Sequence, residues 1–91
     1  MEKNWYRETL VALNMRSRKN TVHNRISEIS IRSDDPALRE LCKKVVTEMG
    51  YSGVDTESTS LADAKSVNTT ELIRHCEARA YVEPNDEFGG R

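Results

Sequence analysis

Ninety-one residues, 36% of them hydrophobic and 32% charged, with a net charge of −1, leave room for one small domain with a thin core. This mix excludes full disorder, and the near-zero charge argues against a nucleic-acid binder that works by bulk charge. The longest apolar run, Leu10-Val11-Ala12-Leu13, falls far short of the ~20 residues that span a bilayer.

The first residues, Met1-Glu2-Lys3-Asn4, lack the basic and then apolar pattern of an export leader. Two cysteines are too few for a disulfide scaffold. A cytoplasmic protein with reduced thiols and no membrane association is expected. Charge is unevenly spread: residues 1–50 hold ten Lys/Arg against seven Asp/Glu, and residues 51–91 hold four against eight. A basic amino-terminal half therefore joins an acidic carboxyl-terminal half. The bland account of that split is a solvated face that keeps the chain soluble.

In chain order, the first helix is predicted over residues 5–17 with Asn4 as its cap. At about 100° per residue Tyr6, Leu10 and Leu13 share one stripe, while Trp5, Val11, Ala12 and Met15 lie on the other side. So wide an apolar surface suits the centre of a bundle or a dimer interface. After the polar break Arg18-Lys19-Asn20, the residues Val22, Ile26 and Ile29 fall on one helical face. The alternation Ile29-Ser30-Ile31 also permits a short strand.

The third helix has the clearest signals. Asp35 can cap it, Pro36 suits its first position, and Gly50 suits a left-handed stop. Between them Leu38, Leu41, Cys42, Val45, Val46 and Met49 form an apolar arc. Residues 51–58 read as a loop, and a short helix is predicted over residues 60–65. Asn68-Thr69-Thr70-Glu71 then resembles a capping box that opens a last helix running to Val82, with Leu72, Ile73, Cys76 and Ala80 inward. The expected architecture is an all-α bundle of four or five short helices, with one short strand as an option. Residues 1–82 form the domain and residues 83–91 a flexible acidic tail.

Few groupings carry chemistry. Cys42, Cys76, His23 and His75 lack any zinc-ligand spacing, and both cysteines sit on apolar stripes, so no metal or other cofactor is expected. A thiol nucleophile needs an electropositive, partly exposed setting that these positions lack. Asp34 and Asp35 are accounted for by helix capping, and the glycines at 50, 53, 89 and 90 form no phosphate loop. No enzyme is expected.

The leading functional reading rests on residues 60–82, which resemble a helix-turn-helix. Ala62 or Ala64 would allow a close crossing, Val67 would be the apolar pin, and Leu72 and Ile73 the anchors. That resemblance implies a small regulatory protein binding duplex DNA as a homodimer. Thr69, Thr70 and Arg74 would lie at the bases, and Arg16, Arg18, Lys19 and Arg25 would grip phosphates. Against it, Ser66 stands where a turn glycine is common, and this half of the chain offers no net attraction for phosphate. The alternative is a protein-binding adaptor or inhibitor that acts through Trp5, Tyr6, Leu10 and Leu13 of the first helix.

Overall fold

Capping side chains set where four of the five helices begin. The Asn4 side chain accepts the Arg7 amide at 3.0 Å and opens α1, Trp5–Asn14. The helix ends three residues before the expected 17, where Asn14 Nδ2 turns back to the Leu10 carbonyl at 2.8 Å and Met15 goes extended. Residues 16–18 offer nothing apolar to bury, so no packing extends the helix. A computed structural model describes residues 3–52 and 60–81 of the chain. Residues 53–59 of the expected loop, Val82 and the tail at 83–91 lie outside the described residues.

α2, Lys19–Arg32, takes in the positions that also allowed a strand. Val22, Ile26 and Ile29 are buried on one side, while Ile31 is exposed. A helical period therefore wins over alternation, and the Ser30 hydroxyl is absorbed by the Ser27 carbonyl at 2.6 Å. α3, Pro36–Ser52, starts where expected, with Asp35 Oδ1 accepting the Ala37 amide at 2.9 Å. It does not stop at Gly50. Met49 anchors the last turns in the core, and the glycine simply continues the helix through Tyr51 and Ser52.

α4, Leu61–Ala64, is a single turn capped by Ser60, whose side chain accepts the Asp63 amide. Lys65 then adopts a left-handed conformation, φ 59 and ψ 32. That reversal leads into α5, Val67–Ala80. Its cap is Ser66, which accepts the Thr69 amide at 3.1 Å, and not the expected Asn68. Asn68 instead reaches Glu48 on α3 at 3.4 Å.

The four longer helices run up, down, up and down. Asn4 Nδ2 donates to the Ala80 carbonyl at 3.0 Å, so the start of α1 lies by the end of α5. Arg16 meets Asp63 at 3.2 Å, closing the opposite end. α1 packs on α2 and α5, and α3 packs on α2 and α5, which leaves α2 and α5 diagonal to one another. Leu13, Ile26, Leu38, Val45 and Leu72 fill the space between them. The expected all-α bundle is the fold found, and no strand occurs among the described residues.

Candidate functional site

The helix-turn-helix segment exists as α4, a two-residue link and α5, but its parts are placed differently from expectation. α4 has no buried residue, and Val67, the expected pin, is 74% exposed. Leu72 is a full anchor and Ile73 a partial one. Thr69 is buried, its hydroxyl accepting a bond from Ser66 at 2.9 Å, so it offers nothing to a base edge.

Thr70 and Arg74 do lie on the open face of α5, interleaved with Glu71 and Glu77. The expected phosphate contacts do not gather beside them. Arg16 is engaged with Asp63, Arg18 occupies the capping position of α2, and Arg25 is exposed on α2, across the bundle from α5. Lys19 begins α2, and its side chain lies outside the described set.

The first helix also turns its apolar residues inward. Leu10 and Leu13 belong to the core, with Trp5 and Tyr6 partly buried against it. The apolar spread that suggested self-association through α1 is thus largely taken up by neighbours within one chain. What remains outside is Val11, 52% exposed. One turn before it, Arg7 donates to the Ala80 carbonyl at 3.2 Å and lies 5.9 Å from the ring centre of Tyr81, itself 65% exposed. Arg7, Val11 and Tyr81 therefore form a mixed apolar and cationic surface where α1 meets the end of α5. Lys3 sits 5.0 Å above the Trp5 ring nearby.

A polar cluster unanticipated from sequence ties three elements together. Tyr6 on α1 donates its hydroxyl to Asp35 Oδ2 at 2.7 Å, and His75 Nε2 on α5 lies 2.9 Å from the same oxygen. The Tyr6 and His75 rings are 5.9 Å apart and tilted. Burial opposes the Asp35 charge, but bonds from Tyr6, His75 and the amides of Ala37 and Leu38 outweigh it and hold the pKa down to about 2. Burial, followed by the bond to Asp35 and its negative charge, pushes the Tyr6 hydroxyl up to about 12. Such a cluster stabilises an ionised carboxylate and a neutral phenol. The cluster joins α1, the residue before α3, and α5.

Inside the bundle, Cys42 and Cys76 are fully buried free thiols, and burial pushes both up to about 12. Among the described residues no three His, Cys, Asp or Glu side chains converge as metal ligands would. No described helix is long and apolar enough to cross a membrane. The chain matches no family model, no curated protein and no solved structure.

The helical period set Tyr81 on the face opposite the anchors Leu72 and Ile73, where it is exposed, but counted Val11 with the apolar surface of α1. The exposed position of Val11 was legible in part: it shares a face with Arg7 and Asn14, the polar strip of that helix. The meeting of Tyr6, Asp35 and His75 had no local signal, since the partners lie 29 and 40 residues apart.

Proposed function

We propose that this chain is a protein-binding module, an adaptor or inhibitor, that engages its partner through the outer seam of α1 and α5. The observation that carries the reading is the exposed Tyr81 ring, with Arg7 against it and exposed Val11 one turn beyond Arg7 along α1. Tyrosine and arginine are the residue types that dominate binding hot spots, because they bring large rigid area and directed polar contacts together. A face with balanced charge, as on α5, suits a protein surface better than a polyanion. The test compares capture of partners from extract of the source cells by the native chain and by a Val11→Ser, Tyr81→Ala double variant. A partner identified by mass spectrometry should bind the native chain and be lost from the variant while the helical spectrum is unchanged. Equal recovery by both chains would remove this face from consideration.

One observation favours duplex DNA as a second reading. The left-handed Lys65 and the Ser66 cap give a tight link that leaves Thr70 and Arg74 open near the start of α5. On that reading Arg74→Ala costs roughly 1–3 kcal/mol at a preferred site. Failure of the native chain to bind random duplex at ~50 mM salt, where phosphate contacts are strengthened, would sink it.

A further inference from the structure

Some cations of this bundle are matched within the chain: Arg16, Arg32 and Lys43 pair with Asp63, Glu28 and Glu40. Lys3 and Arg7 instead stand against rings, the ammonium 5.0 Å from the centre of Trp5 and the guanidinium 5.9 Å from that of Tyr81. Arg74 is exposed on α5, and two helical turns separate it from Tyr81 on the same face. Among the described residues neither Lys3 nor Arg74 has a carboxylate within ion-pair distance. α1 and α5 run antiparallel from the bond between Asn4 and Ala80. Six residues along each helix, about 9 Å, bring Arg74 level with Leu10. Exposed Val11 therefore has Arg7 one turn before it on α1 and Arg74 near its own height on α5. Glu77, one turn before Tyr81, is the acid of this face. Three cations thus stand against one acid, in a chain whose acids outnumber its Lys and Arg by 15 to 14.

We propose that the partner segment seated on the α1–α5 seam is an acidic amphipathic peptide. Its apolar side chains cover Val11 and the Tyr81 ring, and its Asp or Glu side chains reach Lys3 and Arg7 at one end and Arg74 at the other. This rests on the reading of the seam as a protein-binding surface and adds the chemistry of the segment it takes.

Each part of that chemistry answers a feature of the face. Covering Val11 and Tyr81 removes apolar area from water, and it also lowers the dielectric around the cations, which strengthens their attraction for carboxylates. Trp5 and Tyr81 hold Lys3 and Arg7 in place beforehand, so less side-chain freedom is lost when an acid arrives. The net positive charge also speeds encounter with an acidic segment and repels a basic one. A polyanion without apolar groups would use the three cations, leave Val11 and Tyr81 in water, and meet Glu77 with like charge.

The experiment titrates the full chain into labelled synthetic peptides and reads fluorescence anisotropy. The probe is Asp-Glu-Leu-Phe-Asp-Asp-Leu-Glu, compared with one peptide carrying Lys at every acid and another carrying Ser at every apolar position. The acidic amphipathic probe should bind, with an affinity that falls as salt rises, and both comparison peptides should bind more than about tenfold less tightly. Lys3→Ala and Arg74→Ala should each weaken the probe about two- to fivefold, and Tyr81→Ala more than about tenfold, with helical spectra unchanged. Arg74→Glu should improve binding of the lysine peptide, a gain that loss of fold does not imitate. No binding of the acidic probe overturns the proposal, and so does equal binding of the serine peptide or preference for the lysine peptide. Heparin binding that depends on the cations and not on Tyr81 would assign the face to a polyanion. A dimer of the native chain that Tyr81→Ala abolishes would assign it to a second copy. Either result also overturns the proposal. The seam reading fails separately, when a partner captured from extract survives the Val11→Ser, Tyr81→Ala double variant. If that partner is lost while the acidic probe does not bind, the seam stands and only the acidic chemistry is refuted.

Discussion

Asp35 performs two tasks with its two oxygens. Oδ1 caps α3 through the Ala37 amide, and Oδ2 gathers Tyr6 and His75. The capping task is local and follows from an acid placed before proline. The gathering task depends on where α1 and α5 arrive, which local spacing does not encode. Its consequences for pH follow from the direction of each shift. Asp35 is held at about 2 against an ordinary 3.8, so the fold favours its ionised form. That contribution is complete above the ordinary value and fades as pH falls through the folded one. Tyr6 is held at about 12 against 10, so the fold favours its neutral form. That contribution is complete below the ordinary value and is lost as pH rises through the folded one. Replacing Tyr6 by Phe removes a bond to the carboxylate, so the variant should acid-unfold at higher pH than the native chain. The gap between their denaturant midpoints should be widest near neutrality and close at both extremes. Parallel midpoint curves from acid to alkali would show that the Tyr6–Asp35 bond contributes nothing.

At the scale of the helices, apolar spacing was legible and the ends were less so. The stripes Val22-Ile26-Ile29 and Leu38-Cys42-Val45-Met49 are the faces buried, because a period of about 3.6 residues has few alternatives once one side is apolar. Helix ends turn on single backbone conformations that several neighbouring residues can supply. Ser66 and Asn68 were both able to cap α5, and the left-handed Lys65 decided for Ser66 by bringing the chain in two residues earlier. Ser66→Ala should therefore cost about 1 kcal/mol. Asn68→Ala should change stability by no more than about 0.5 kcal/mol, since its bond to Glu48 is exposed and long. The reverse ranking in urea titrations would restore Asn68 as the cap. Lys65 itself has a Cβ in a region that costs L residues roughly 1–2 kcal/mol. Lys65→Gly should relieve part of that strain and raise stability by up to about 1 kcal/mol, although glycine also frees the unfolded chain. A loss on that substitution would mean that the lysine side chain makes a contribution larger than its backbone cost.

For the whole molecule, the arrangement of four helices determines which apolar residues hold the fold and which are left for a partner. The sequence showed α1 to be apolar over most of its circumference, but composition does not say how many neighbours a helix will have. With α5, α2 and α4 all against it, α1 places Leu13 fully inside and leaves Val11, two residues earlier, half outside. The same arrangement sets α2 across from α5, which separates Arg25 from Arg74 and weakens any surface built from both. Stability and binding should therefore divide along one helix. Leu13→Ala leaves a cavity in the core and should cost about 2–5 kcal/mol, a large part of the stability expected for a domain of this size. Val11→Ser, on the outer seam, should stay within about 0.5 kcal/mol of the native chain. Tyr81→Ala should also unfold close to the native midpoint, because its ring is mostly in water and its contact with Arg7 is at the surface. On the proposed function the order reverses for partner binding. Val11→Ser and Tyr81→Ala lose the partner while keeping the fold, and Leu13→Ala loses it only in proportion to the fraction unfolded. Measuring midpoint and partner affinity on the same three variants separates the roles. If binding losses tracked stability losses across all three, the α1–α5 seam would be an ordinary surface and the partner would be recognised elsewhere.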